Sequence, residues 1–552
     1  MRFKRNVPRL TCRMPPRGGI RQRAARRREQ DENRPSSLAT FLTLQVLRGF
    51  MSVPVANRIA KHAKRDLEYA AQRGPDFMFN DLDTIAQLGG ATGRGKAGRM
   101  YQELMSKLVT PSIPLFRAII PLDLQERVPR MVEQCMLLPH VVFSSLYHHY
   151  HASFIKRICP SSETLRDFWT KLERHPLLHN HPVRRIRGWR DRCVPLSIHG
   201  DGVPCVAVGK SWGKSMEVLS WASLVVTGST LQTFFWIYGC FTALFSKTTM
   251  RHTVRRQFIY LKWSLQALWE GKWPDHDPFR GPYPPDSPEG RRAGTPLCGN
   301  GVEGFFGLPF VIRGDLEWFY SICELADYRS RQPCCWCPAN LTNIPWRDMT
   351  VDALWRNLTY GIDAWRGHVF PLLSLEFISI LTFCADWMHT AHLGVYKYVL
   401  GSVLWLLCHD MMTGTPVENM REVMRGLRAY WRANPTESHF QNITISMFAP
   451  SEAESGRAVE EEARYPQLKG RAAEIKHLVV ALHAVFTAHI PAGLPREEAI
   501  IYNQIALMLR ECVRADEILD RHPPHRFPAL PRDEASQFEE ATVLHTCTHR
   551  ML

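Results

Sequence analysis

The chain has 552 residues, 45% of them hydrophobic and 11% aromatic. That composition excludes wholesale disorder and fibrous architecture and leaves material for three or four domains. Lys and Arg number 69 against 53 Asp and Glu, a net +16, yet residues 1–34 alone hold twelve basic residues and three acids. That arm therefore carries +9 and the other 518 residues +7, so the strong field is N-terminal. It suits a polyanion such as nucleic acid, or nuclear import. Fifteen cysteines, mostly single within apolar runs, are the usage of a reducing compartment. Residues 1–34 lack the apolar segment of a secretory signal, and Glu29, Asp31 and Glu32 argue against a transit peptide. Leu231–Phe245 and His392–Met412 are too short or too polar for helical membrane spans. They read as a buried strand with its flanking helix and as a core helix, in a chain with no membrane partner.

In chain order, a disordered basic arm is expected over 1–37 and a helical N-terminal region over 38–188. The latter begins with helical spacing at Phe41, Leu42, Val46, Leu47 and Phe50, and contains a Gly-rich basic linker at 89–99. Residues 100–185 read as helices separated by prolines, with a packing cluster at Tyr147–His151. The character then changes. The run VPLSIHGDGVPCVAVG reads as strand–turn–strand, followed by MEVLSWASLVV and TLQTFFWIYG, both rich in β-branched and aromatic residues. Short turns would join these into an antiparallel meander. An amphipathic helix over 251–270 and a Pro/Gly-rich loop over 273–301 precede a buried strand, FFGLPFVIRGDLEW, that leads into a helix. An acid-rich loop at 451–462 separates this part from closing helices at 467–490 and 497–520, and 526–552 shows no clear element.

Two acids stand where chemistry can start. Asp201 and Asp315 each follow a glycine at the end of an apolar strand, a place where a turn or helix cap is the ordinary reading. Paired on neighbouring strands, the same carboxylates could hold two divalent ions about 4 Å apart, and Mg²⁺ (or Mn²⁺) prefers such oxygens. In PCCWCPAN, Cys334 and Cys337 form a CxxC knuckle, half of a structural Zn²⁺ site. In ADWMHTAHLGV, His389 and His392 lie one helical turn apart and are the best candidates for the other half. Asp386 is an alternative oxygen ligand or would orient an imidazole. Glu474, near the start of the helix in GRAAEIKHLVV, is a candidate third carboxylate.

In this order the motifs resemble the RNase-H-like DDE transposases of the CACTA (En/Spm) type and, more distantly, the catalytic subunit of the V(D)J recombinase. The matching positions are Asp201 in HGDG, Asp315 in RGDLEW, Cys334 and Cys337 in CCWC, Asp386 and His389 in DWMH, and Glu474 in GRAAEIKHL, spread over about residues 190–490. The resemblance implies an α/β fold, an RNase-H-like mixed sheet with flanking helices. Its first part would cover 189–330, a mostly helical zinc-braced insertion 331–462, and the closing helices 463–525. It implies catalytic Asp201, Asp315 and Glu474, with Asp386 the rival for the third acid. Glu474 is favoured because its helix follows the long insertion. It implies metal-dependent DNA strand cleavage and transfer in the nucleus, and is compatible with a homo-oligomer. The basic arm and Arg184, Arg185, Arg187, Arg190 and Arg192 would hold phosphate backbone. The rival readings are a domesticated, non-cutting DNA-binding protein and a zinc-braced interaction protein.

Overall fold

The computed structural model describes residues 38, 41, 42, 44, 45, 53–74, 113–126, 128–204, 215–248, 252–299, 304–348, 350, 352–361, 363–449, 465–522 and 530–551. The basic arm, the Gly-rich segment at 89–99 and the acid-rich loop at 451–462 lie outside the described residues. The chain divides into units Met1–Thr110 and Pro111–Leu552. In the first, the long described element is helix α1 (Val53–Arg73).

The second unit is a mixed α/β fold. It opens with a two-stranded antiparallel hairpin, β1 (Phe116–Leu122) and β2 (Arg130–Met136), where the proline spacing suggests helices. Alternation decides this segment: Ala118, Ile120 and Leu122 are buried, while Arg117 and Ile119 face outward. The Tyr260 hydroxyl accepts from the Ile119 N–H at 3.0 Å and fixes the hairpin. Helices α2 (Pro139–His149), α3 (His151–Arg157) and α4 (Ser162–Lys171) follow. Within α2 and α3, Tyr147 packs edge-on against His148, His151 and Phe154.

Next come β3 (Cys193–Pro204), β4 (Ser215–Ser223), β5 (Phe235–Phe241), helix α5 (Thr253–Glu270), β6 (Phe306–Gly314), helix α6 (Leu316–Ser321) and β7 (Phe383–Ala385). The strands form one five-stranded sheet in the order β5-β4-β3-β6-β7. β3, β4 and β5 are the expected antiparallel meander, and β6 and β7 run parallel to β3. HGDG is not a turn. β3 runs through it without a break, Gly200 opposite Leu219 and Asp201 opposite Val218.

α5 buries Phe258, Leu261, Leu265 and Leu268 in the core that contains Ile198, Leu308 and Ile312. Of the mostly helical insertion expected over 331–462, the described residues between 331 and 382 are turns and short single-turn helices, and the long helices begin at Met388. Prolines and Asx turns such as that of Asn340, whose Oδ1 accepts from the N–H groups of Thr342 and Asn343 at 2.8 Å each, break this stretch. A second core is helical. It comprises α7 (Met388–Met411), α8 (Pro416–Ala433), α9 (Ala472–Ala488) and α10 (Arg496–Arg521). α7 is long and apolar enough to cross a membrane by length and composition, but its Val399, Leu400, Val403, Leu404 and Leu407 are buried in this core. A final helix, α11 (Arg532–Met551), occupies the stretch that shows no element in sequence. Ion pairs Arg514–Glu540 at 3.0 Å and Arg521–Glu534 at 2.9 Å join it to α10.

Candidate active site

The register places the acids. His199 on β3 pairs with Arg313 on β6, and Arg313 with Cys384 on β7. Two residues beyond this row each strand delivers an aspartate: Asp201, Asp315 and Asp386. A two-residue step returns a side chain to the same face. Neighbouring strands lie about 4.8 Å apart, so the row puts Asp315 between the other two at the C-terminal ends of three parallel strands. The Asp386 N–H donates to the Gly314 carbonyl at 3.0 Å, which extends the β6–β7 pairing to the row itself. Asp315 stays extended and caps α6, its Oδ1 accepting from the Trp318 N–H at 2.5 Å.

The two Gly-Asp pairs share one cause. A Cβ on Gly200 or on Gly314 would overlap the Trp318 ring. The buried indole therefore lies against both glycines, and each adjoining aspartate emerges at the edge of the same packing unit. The Trp318 Nε1–H donates to the Glu217 carboxylate on β4. Glu217 is 5% exposed. Burial, offset partly by the indole hydrogen bond and reinforced by the charges of Asp201 and Asp315, pushes its carboxyl up to about 7.

Around the row the charges are coupled. His389 Nδ1–H donates to Asp386 Oδ2 at 2.6 Å, and the Met388 N–H donates to Asp386 Oδ1 at 3.1 Å. The hydrogen bond to Asp386, with the charges of Asp386, Asp315 and Asp201, holds the His389 imidazole above its ordinary pKa against the effect of burial. Burial works to raise the Asp386 carboxyl, but the bonds from His389 and Met388 and the nearby imidazoles bring it below the usual range. Burial lowers His199, although Asp201 and Asp386 oppose this. Burial also lowers Arg313, whose guanidinium feels Asp386. These mutual effects tie Asp201, Asp315, Asp386, His199, His389, Arg313 and Glu217 into one electrostatic neighbourhood.

Glu474 is placed differently. Its Oε2 accepts from the Arg471 N–H at 2.9 Å, closing a cap at the start of α9. It is not among the leading charges acting on His199, Glu217 or His389. The acid joined to Asp201 and Asp315 is Asp386.

The four zinc candidates do not converge. His392 is buried and its Nε2–H donates to Asp516 of α10 at 3.0 Å, while His389 faces Asp386. Cys334 and Cys337 are neighbours, and burial with the Cys337 hydrogen bond pushes the Cys334 thiol up to about 11. Among the described residues no three His, Cys, Asp or Glu side chains are gathered closely enough to hold a metal ion. The knuckle instead braces β7: Trp336 Nε1–H donates to the Phe383 carbonyl at 2.9 Å, and its ring packs edge-on against Phe319. This covers the edge strand that presents Asp386.

Of the basic stretch at 184–192, Arg190 is engaged with Glu173 at 2.7 Å, whereas Arg184, Arg185 and Arg187 are exposed. His199, Glu217, Arg313 and Trp318 are not singled out by sequence reasoning. A signal exists for three of them: His199 and Arg313 lie two residues before Asp201 and Asp315, and Glu217 is the lone charge in MEVLSWASLVV. No family model matches the chain, and no curated protein does.

Proposed function

We propose that the chain is an RNase-H-like, DDE-type nuclease or transposase that cleaves DNA phosphodiesters at Asp201, Asp315 and Asp386. One observation carries the reading: three aspartates on one row at the C-terminal ends of adjacent parallel strands, in a sheet ordered β5-β4-β3-β6-β7. A mixed sheet with flanking helices is what the resemblance to CACTA-type transposases implies. All three groups offer the carboxylate oxygens that a hard cation prefers, but among the described residues they are not gathered closely enough to hold one as they stand, so their side chains would have to close on the ion. Burial raises the Glu217 carboxyl first, and Asp201 and Asp315 raise it further with negative charge that a cation there would offset.

Magnesium or manganese bound there would supply Lewis-acid activation of the attacking water or 3′-hydroxyl and stabilisation of the leaving oxygen. The chain's own groups do the rest. Asp201, Asp315 and Asp386 would hold the cation through their carboxylate oxygens. His389 orients Asp386 through the 2.6 Å hydrogen bond, and Arg313 offers positive charge to the scissile phosphate. The DNA partner, nuclear location and self-association of the resemblance belong to this proposal.

The test is nicking of supercoiled DNA by the purified full chain in Mg²⁺ or Mn²⁺. Asp201→Asn and Asp315→Asn should each lose about 100- to 1,000-fold in rate. Unchanged nicking in both variants rejects the site, and DNA binding by the wild type without nicking favours the non-cutting reading.

A further inference from the structure

A second candidate site lies away from the acid row, on α8. Arg421, Arg425, Arg428 and Arg432 recur at spacings of four, three and four residues, which aligns them on one helix face. All four are exposed, and at 1.5 Å per residue they track about 16 Å of helix. They border a groove of about 520 Å³ lined also by Trp431, His439, Phe440 and Gln441. It adjoins a second hollow of about 460 Å³ that shares Arg421 and Arg428 and brings in Asn442, Thr444 and Ser446. Among the described residues opposing charge is sparse. Glu422 pairs with Arg425, and Glu418 is turned to Thr415, its Oε2 accepting from the Thr415 hydroxyl at 2.7 Å.

The floor holds an unsatisfied donor. Trp431 is 4% exposed and lines the groove, and its Nε1–H has no hydrogen-bond partner among the described residues. An orphaned buried donor is costly unless something accepts from it. His439 stacks on the indole at 4.8 Å between ring centroids and so holds the ring in place. Four guanidiniums in line, with hydroxyl and amide groups along the rim, call for an elongated anion with regularly spaced oxygens. Arginine rather than lysine at every position favours fork-like contact with phosphate.

We infer that this groove is a track for the phosphodiester backbone of nucleic acid, bound without regard to sequence. The inference deepens the proposed function by naming where the polynucleotide lies. It rests on nucleic acid being the partner and does not require cleavage.

The experiment measures binding of a fluorescent random-sequence duplex to the full chain in EDTA, so that nicking plays no part, across a salt series. Replacing Arg421, Arg425, Arg428 and Arg432 together with Gln should weaken binding at low salt by about 100-fold or more. It should also make the slope of log K against log salt shallower by about 3 to 4. Residual binding through the N-terminal arm is expected. Should the fourfold variant fail to fold, Arg421→Gln with Arg428→Gln carries the test, with a slope change of about 2. Wild-type affinity and slope in a folded arginine variant overturn the inference, as does an equal loss of binding to poly-glutamate. Asp201→Asn should bind DNA as the wild type does while failing to nick, which separates failure of this groove from failure of the acid row.

Discussion

Two buried glutamates show how the two cores of the second unit differ. Glu511 of α10 is 1% exposed and lies between guanidiniums, with Arg510 at 3.2 Å and Arg514 at 3.3 Å. Glu217 of β4 is 5% exposed, yet its carboxylate accepts from a neutral indole and the charges acting on it are the negative ones of Asp201 and Asp315. The helical core pairs its buried acids internally, as Asp516 accepts from His392 Nε2–H at 3.0 Å, and at its surface Asp520 pairs with Lys476. A scaffold needs nothing more. The C-terminal edge of the sheet accumulates negative charge that folding alone does not require, and such an excess is the mark of a site.

The comparison breaks most sharply at the third acid. If the sheet edge is the reactive region and the helical core its support, Asp386→Asn should cost up to about 1,000-fold in metal-dependent nicking. Glu474→Gln should leave the rate within about threefold and lower stability by about 1 kcal/mol, the worth of a helix cap. The reverse pattern would return the third carboxylate to α9. Both variants are read in one nicking assay, with thermal melts to exclude misfolding.

The packing unit beneath the acids gives the next effect. Trp318→Ala removes the indole from Gly200 and Gly314 and takes away the donor to Glu217. A large buried aromatic replaced by Ala costs about 3–5 kcal/mol, measurable by urea denaturation. Nicking should fall further than stability explains, because two of the three strands that carry the acids lose their common spacer. An activity loss that vanishes under conditions where the variant is fully folded would make Trp318 a core residue and nothing else.

Much of this was readable from the residues. The meander, α5, β6 and the closing helices follow from period and turn chemistry, and Asp201 and Asp315 from the Gly-Asp pairs that follow apolar runs. What was not readable depended on partners distant in sequence. Gly200 and Gly202 look like a turn until Trp318, more than a hundred residues later, explains why the strand carries a glycine there. The hairpin of β1 and β2 was hidden by prolines that read as helix breaks, of which Pro121 sits within β1, and α11 by its lack of an apolar stripe, since ion pairs with α10 help to hold it. Cys334, Cys337, His389 and His392 have ligand chemistry in sequence. Their partners, Phe383 by way of Trp336, Asp386 and Asp516, are set by the fold.

The smallest effect separates the two glutamates directly. Glu217 titrates near 7 in the folded chain against 4.5 in the unfolded one. Between those values the folded state holds a proton that the unfolded state has released, so this group's contribution to stability falls as pH rises through the window and is fully lost above it. The loss amounts to about 3 kcal/mol if the full shift is realised. Glu217→Gln keeps an oxygen for the Trp318 Nε1–H and removes the charge. Relative to wild type it should therefore gain stability from pH 5 to pH 8 in metal-free buffer, ending about 1–3 kcal/mol more stable. Glu511→Gln should do the opposite at pH 8, because it leaves Arg510 and Arg514 facing a neutral buried group. Mg²⁺ added to the wild type should flatten the Glu217 slope without abolishing it: the cation would cancel the charges of Asp201 and Asp315, but burial, the larger cause, would persist. Parallel stability curves for wild type and Glu217→Gln across this pH range would remove the excess negative charge from the sheet edge, and with it the contrast between the two cores.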